Sequence, residues 1–142
     1  MQAAASTQQA CCFLTQDCKP MNIIRFGTTR RFSDAVVHNG TAYIVEVPSN
    51  LDADISAQTE NLLASIGRLL LQVGSDSARI LQATIYLADM QDYDAMNRVW
   101  DAWLPEGSAP VRACVEAKLA TPQYRVEIAL TAAVSQITPE KI

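Results

Sequence analysis

Residues 84–134 read TIYLADMQDYDAMNRVWDAWLPEGSAPVRACVEAKLATPQYRVEIALTAAV, and the division of this stretch into elements decides the fold. Its first residues complete an alternating run over Ile80–Leu87, with Leu81, Ala83, Ile85 and Leu87 on one side and Gln82, Thr84 and Tyr86 on the other. A period of two is the signature of a strand. The pattern then changes. From about Asp92 to Leu104, Tyr93, Met96, Trp100, Trp103 and Leu104 recur at spacings of three and four, which predicts an amphipathic helix. Asn97 falls on that stripe, either as a core amide bonded to backbone or as a ligand contact. Two further alternating runs close the stretch. In the first, Val111, Ala113, Val115, Ala117 and Leu119 oppose Arg112, Cys114, Glu116 and Lys118. In the second, Val126, Ile128, Leu130 and Ala132 oppose Arg125, Glu127, Ala129 and Thr131.

Working outward, Asn22–Phe26, Asp34–His38 and Thr41–Val47 are β-prone, and Asn39-Gly40 between the last two predicts a tight hairpin. Ile55, Thr59, Leu62, Leu63, Ile66, Leu69, Leu70 and Val73 build one apolar helical face. Asp52 or Asp54 can cap that helix and Gly74 can end it. The order is three strands, helix, strand, helix, two strands. Two amphipathic helices need one sheet face to cover, so the expected class is α+β, a mixed sheet with both helices on one face. If the apolar sides of the last two strands meet the helices, Arg112, Cys114 and Glu127 share the far face. That face would also carry Val36 or Val37, Ile44, Tyr86 and Ala129, and burial against other subunits is the expected remedy.

The chain has 142 residues, enough for one domain, with 49% hydrophobic and 18% charged residues. A net charge of -4 opposes nucleic-acid binding, which needs concentrated Lys and Arg. No apolar run approaches the roughly 20 residues of a membrane helix. Cys11, Cys12 and Cys18 lack zinc-site spacing and His38 is the only histidine, so no metal is expected. Reduced cysteines and a cytoplasmic setting are the simpler reading. Residues 1–20 lack the basic start and long apolar run of a secretory signal; they read as a weakly ordered extension, or as a start assigned too early. The domain is expected over residues 21–142.

The strand ending in Leu87-Ala88-Asp89-Met90, the helix bearing Met96-Asn97, the segment Pro110-Val111-Arg112-Ala113-Cys114-Val115 and the strand Val126-Glu127-Ile128 together resemble the signature of the RidA (YjgF) family. The earlier VPSNLDADISAQTENLLASI resembles its YoaB-like branch. The resemblance implies a chorismate-mutase-like single domain, assembled as a homotrimer with ligand clefts between subunits. It implies hydrolysis of small 2-imino acids to 2-keto acids and ammonia without a cofactor. In that reading Arg112 clamps the substrate carboxylate, since a guanidinium fork matches two oxygens. Glu127 is the catalytic residue, orienting water or moving a proton. Cys114 offers backbone contacts, and no nearby histidine supports it as a nucleophile. Phe32, Ser33 and Asn97 complete the implied substrate site.

The chain departs from the family pattern in three places. Its Gly-Pro-Tyr-Ser-Gln segment aligns with Arg30-Arg31-Phe32-Ser33-Asp34, so Phe32 stands where deaminases carry a tyrosine. Val45-Glu46-Val47 replaces a Ser-Gly-Gln, and Ala129 replaces the second glutamate of Glu-Ile-Glu. A non-catalytic metabolite binder using the same cleft is the alternative to a deaminase. The family's older description includes an endoribonuclease, which the acidic charge and the lack of a histidine pair disfavour.

Overall fold

A computed structural model describes residues 22–135. Expectations for residues 1–20 therefore lie outside the described residues. Six strands and two helices form an α+β domain: β1 (Ile24–Phe26), β2 (Ala35–His38), β3 (Thr41–Glu46), α1 (Ile55–Gln72), β4 (Ile80–Leu87), α2 (Tyr93–Trp103), β5 (Val111–Glu116) and β6 (Val126–Ala133). They make one mixed sheet in the order β1-β2-β3-β6-β4-β5. Only β4 and β5 run parallel, joined through α2 as the crossover. This is the chorismate-mutase-like arrangement that the sequence resemblance implies. No helix is long and apolar enough to cross a membrane among the described residues.

Local chemistry accounts for the boundaries. Asn39 and Gly40 both hold positive φ, 56° and 76°, as a type I′ hairpin requires. Of the two candidate caps, Asp54 is the one used, its carboxylate accepting from the Ala57 amide at 2.9 Å. At the other end Gly74 turns left-handed, φ 82°, while the Ser75 amide donates to the Leu70 carbonyl and the Gly74 amide to that of Leu71. That pair of bonds is a Schellman motif, and it stops α1 where the apolar stripe ends.

The core lies between the sheet and the helices. Leu62, Leu63, Ile66 and Leu70 of α1 and Met96 and Trp100 of α2 are buried against Ile44, Ala83, Ile85, Val126, Ile128 and Leu130. Each such large side chain contributes roughly 1.5–3 kcal/mol, so this layer outweighs any surface ion pair. Gln58 is fully buried on the same helix face. Its amide donates to the carbonyls of Gln123 and Leu51, at 2.9 and 3.2 Å, and its carbonyl accepts from the Arg125 amide at 2.9 Å. Gln58 thus ties the loop before β6 to the start of α1.

Several sequence expectations are corrected here. Ile44 is a core residue, and Tyr43 and Val45 face outward instead. Val36 rather than Val37 is the outward residue of β2. Leu81 does not share a side with Ala83. Pairing with β6 steps from Ile80–Ala132 to Gln82–Thr131, so Leu81 is the extra residue of a bulge and is turned out to solvent. Tyr93 opens α2 on the exposed side, and β5 ends at Glu116 rather than Leu119. The largest correction concerns Arg112 and Cys114. Their partners on β4 are Ala83 and Ile85, both core residues, so Arg112 and Cys114 lie on the helix side of the sheet. Val111, Ala113 and Val115 are the residues turned outward.

Candidate functional site

Arg112 is placed by three local features. Gly107, at φ 81°, and the bond from the Ser108 amide to the Pro105 carbonyl reverse the chain after α2. Pro110 then opens an extended segment, and β5 adds to the sheet edge beside β4. Opposite Arg112 in the pairing stands Ala83, which is small enough to leave room above it. The guanidinium enters that space and meets α2.

There Asn97 and Trp100, three residues apart, present adjacent side chains. The Arg112 Nη1 donates to the Asn97 Oδ1 at 2.8 Å, and the guanidinium carbon lies 5.6 Å from the centre of the Trp100 ring. That distance is within range of a cation–π contact. Trp100 is itself buried and packs on Trp103 with ring centres 5.9 Å apart. A depression of about 280 Å³ opens beside them, lined by Asn97, Trp100, Asp101, Ala109, Pro110 and Arg112. Among the described residues, no carboxylate oxygen comes within 4.0 Å of the guanidinium. Asn97 therefore corrects the expectation of an amide bonded to backbone: its partner is the arginine.

Cys114 follows Arg112 on the same side and is half-buried at the core margin. Burial pushes its thiol above the usual range, and the Arg112 charge offsets this only in part. A protonated thiol is a poor nucleophile.

Glu127 is elsewhere. It lies on β6 opposite Tyr86, on the face away from the helices, and has no ion-pair partner among the described residues. Arg112 and Glu127 thus sit on opposite faces of the sheet. Phe32 and Ser33 occupy the β1–β2 loop, where Thr29 accepts and donates hydrogen bonds that tighten the turn and Phe32 is 62% exposed. That loop is at the β1 edge and Arg112 at the β5 edge, five strand spacings apart, or roughly 24 Å. Of the six candidate residues, one chain gathers only Arg112, Asn97 and Cys114. Glu46, in the departing segment, points to the helix side, where Ser65 donates to it at 2.6 Å.

One feature escaped sequence reasoning, and a second was anticipated with largely different residues. Trp100 was legible as a core residue but not as the floor beneath an arginine. A polar residue interrupting an apolar stripe three places before an aromatic was the available signal. The second is the outward sheet face, where Tyr43, Val45, Leu81, Val111 and Val115 are all exposed large apolar residues. Large apolar side chains this exposed on one sheet face are candidates for burial against another surface.

The sequence pattern of the family described as Endoribonuclease L-PSP matches residues 23–134. The chain is 52% identical over 114 residues to the RutC family protein YoaB of Escherichia coli, covering 80% of this chain and all of that one. The 3-aminoacrylate deaminase RutC of Acinetobacter baylyi is 36% identical over 79 residues, or 56% of this chain and 62% of that protein. Among solved structures, a member of the YjgF protein family from Neisseria meningitidis superposes with a TM-score of 0.79 at 50% identity, covering 82% of this chain and 98% of that one.

Proposed function

The chain belongs to the Endoribonuclease L-PSP family, known also as RidA/YjgF, in its YoaB-like branch, and from that membership we propose that it is a deaminase hydrolysing small 2-imino acids to 2-keto acids and ammonia. The family includes a 3-aminoacrylate deaminase, a hydrolytic release of nitrogen from a small carboxylate. The observation that carries the reading is Arg112: a guanidinium held in place, facing a small depression, with no carboxylate of its own among the described residues. Such a group fits one carboxylate of a small acid.

The reaction needs few parts. The substrate carboxylate binds the free edge of Arg112, which fixes the imine carbon nearby. Glu127 takes a proton from a water as the water oxygen adds to that carbon, and that proton passes to the imine nitrogen, giving a carbinolamine. The carbinolamine hydroxyl then gives up its proton, by way of Glu127, to the amino nitrogen as the carbonyl forms and the C–N bond breaks, leaving a keto acid and ammonia. Because Arg112 and Glu127 lie on opposite faces of one sheet, the proposed cleft joins two copies. One supplies Arg112, Asn97 and Cys114; its neighbour supplies Glu127 and the Phe32–Ser33 loop. A homotrimer with the outward sheet faces turned inward would cover Tyr43, Val45 and Val115 and form such clefts. The cytoplasm is the proposed setting.

A second reading, a non-catalytic binder of the same acids, draws support from Phe32, which lacks the hydroxyl of the tyrosine in deaminase members. One experiment separates the two. 2-Iminopropanoate is generated in a coupled reaction and its conversion to pyruvate followed with and without the protein. Acceleration by the wild type that disappears in Arg112→Ala supports the deaminase. No acceleration, with pyruvate still bound in calorimetry, leaves the binder.

A further inference from the structure

Arg112 could have been oriented by a carboxylate, the usual partner of a half-buried arginine. Here both partners are neutral, an amide oxygen at 2.8 Å and the face of an indole. We propose that Asn97 and Trp100 are positioning residues forming a neutral clamp, which fixes Arg112 while leaving its charge for an anionic ligand. This deepens the reading of Arg112 as a carboxylate anchor and rests on it.

A guanidinium has five N–H donors in one plane. Asn97 engages one of them, at Nη1, and the guanidinium carbon sits over the Trp100 ring, 5.6 Å from its centre. The donors left over lie in the guanidinium plane, where an incoming carboxylate can make the bidentate approach. Both clamp residues belong to α2, and Trp100 is buried and backed by Trp103, so the arginine is referenced to the core rather than to a loop. A carboxylate at position 97 would orient Arg112 equally well. It would also occupy the cation, and a ligand would have to displace it. Asp101 does not play that part: it lines the depression from one turn further along α2, exposed to solvent and beyond ion-pair distance. Neutrality at position 97 therefore leaves the Arg112 charge unpaired for an anionic ligand.

The test uses the full chain and pyruvate as probe, with calorimetric titration and thermal melting of wild type, Arg112→Ala, Asn97→Asp and Asn97→Ala. Asn97→Asp has the same shape and adds only charge. It should weaken pyruvate binding about tenfold or more, the worth of one charge-assisted bond, and its melting temperature should equal or exceed the wild type's. Asn97→Ala removes the clamp without a rival and should lose less, roughly two- to fivefold. A merely structural asparagine predicts no such order. Asn97→Asp binding pyruvate like wild type, or Asn97→Ala losing as much as Asn97→Asp, overturns the neutral clamp while Arg112→Ala still reports on the anchor. Equal binding by wild type and Arg112→Ala overturns the anchor, and the clamp with it. Should Asn97→Asp fail to fold, Asn97→Glu brings the same charge on a longer arm and is read by the same criteria.

Discussion

Removing Gln58 should uncouple the loop that leads into β6. Its side chain is fully buried and makes three good hydrogen bonds, to the Gln123 and Leu51 carbonyls and from the Arg125 amide. A fourth contact, to the Ala53 carbonyl at 3.4 Å, is too long to count for much. Each bond is worth about 1 kcal/mol net, and a buried backbone group left without a partner costs about 1–3 kcal/mol. In Gln58→Leu the new apolar contact offsets part of this, so a loss of about 2–3 kcal/mol is expected. Gln58→Ala adds a cavity and should lose about 3–4 kcal/mol. With a urea m-value of about 1–3 kcal/mol/M, Gln58→Leu should lower the denaturation midpoint by about 0.7–3 M. The assay is urea denaturation followed by circular dichroism, at one protomer concentration for all variants so that self-association does not enter the comparison. Hydrogen exchange locates the effect: the Arg125 amide should lose protection before the amides of β4 do. Since Glu127 lies two residues beyond Arg125, ligand-dependent activity should fall more steeply with temperature in the variant. A stability loss below about 1 kcal/mol in Gln58→Ala, with Arg125 still protected, would refute the brace.

Glu127→Gln should keep pyruvate affinity within a factor of about two in calorimetry yet lower turnover about 10²–10⁴-fold, the usual range for a proton-transfer group. In Arg112→Lys, calorimetry should find only part of the affinity that Arg112→Ala loses, since an ammonium lacks the fork. If the proposed trimer buries the outward sheet face, Val45→Asp should yield smaller species than wild type in sedimentation velocity, because burying an unpaired carboxylate costs several kcal/mol per copy; a trimer left intact would place the interface elsewhere. Peptide-resolved alkylation should find Cys114 slower than a free thiol at pH 8. Its raised folded-state pKa also means that the unfolded chain releases the thiol proton first, so wild type should lose stability above the ordinary thiol range and Cys114→Ser should lose less.

The sequence alone determined the class and order of elements, because helices and strands are written in local periodicities. The stripe from Ile55 to Val73, the Asn39-Gly40 turn and the alternation of Val126–Ala132 each specify a structure without reference to anything distant. The same alternation could say that Arg112 and Cys114 share a side, and that Glu127 shares one with Ala129. It could not say which side faces the helices. Assigning the apolar side inward is sound for β6, a central strand covered by helices. For β5 it fails, since an edge strand can turn Val111 and Val115 out toward a partner while Arg112 reaches α2. Leu81 fails for a related reason, as one extra residue in β4 inverts the parity of everything before it. Strand pairing, bulges and sheet order are long-range facts, and only the tertiary structure decided them. Through them it divided the candidate site in two, with the anchor at one edge of the sheet and the glutamate on the opposite face.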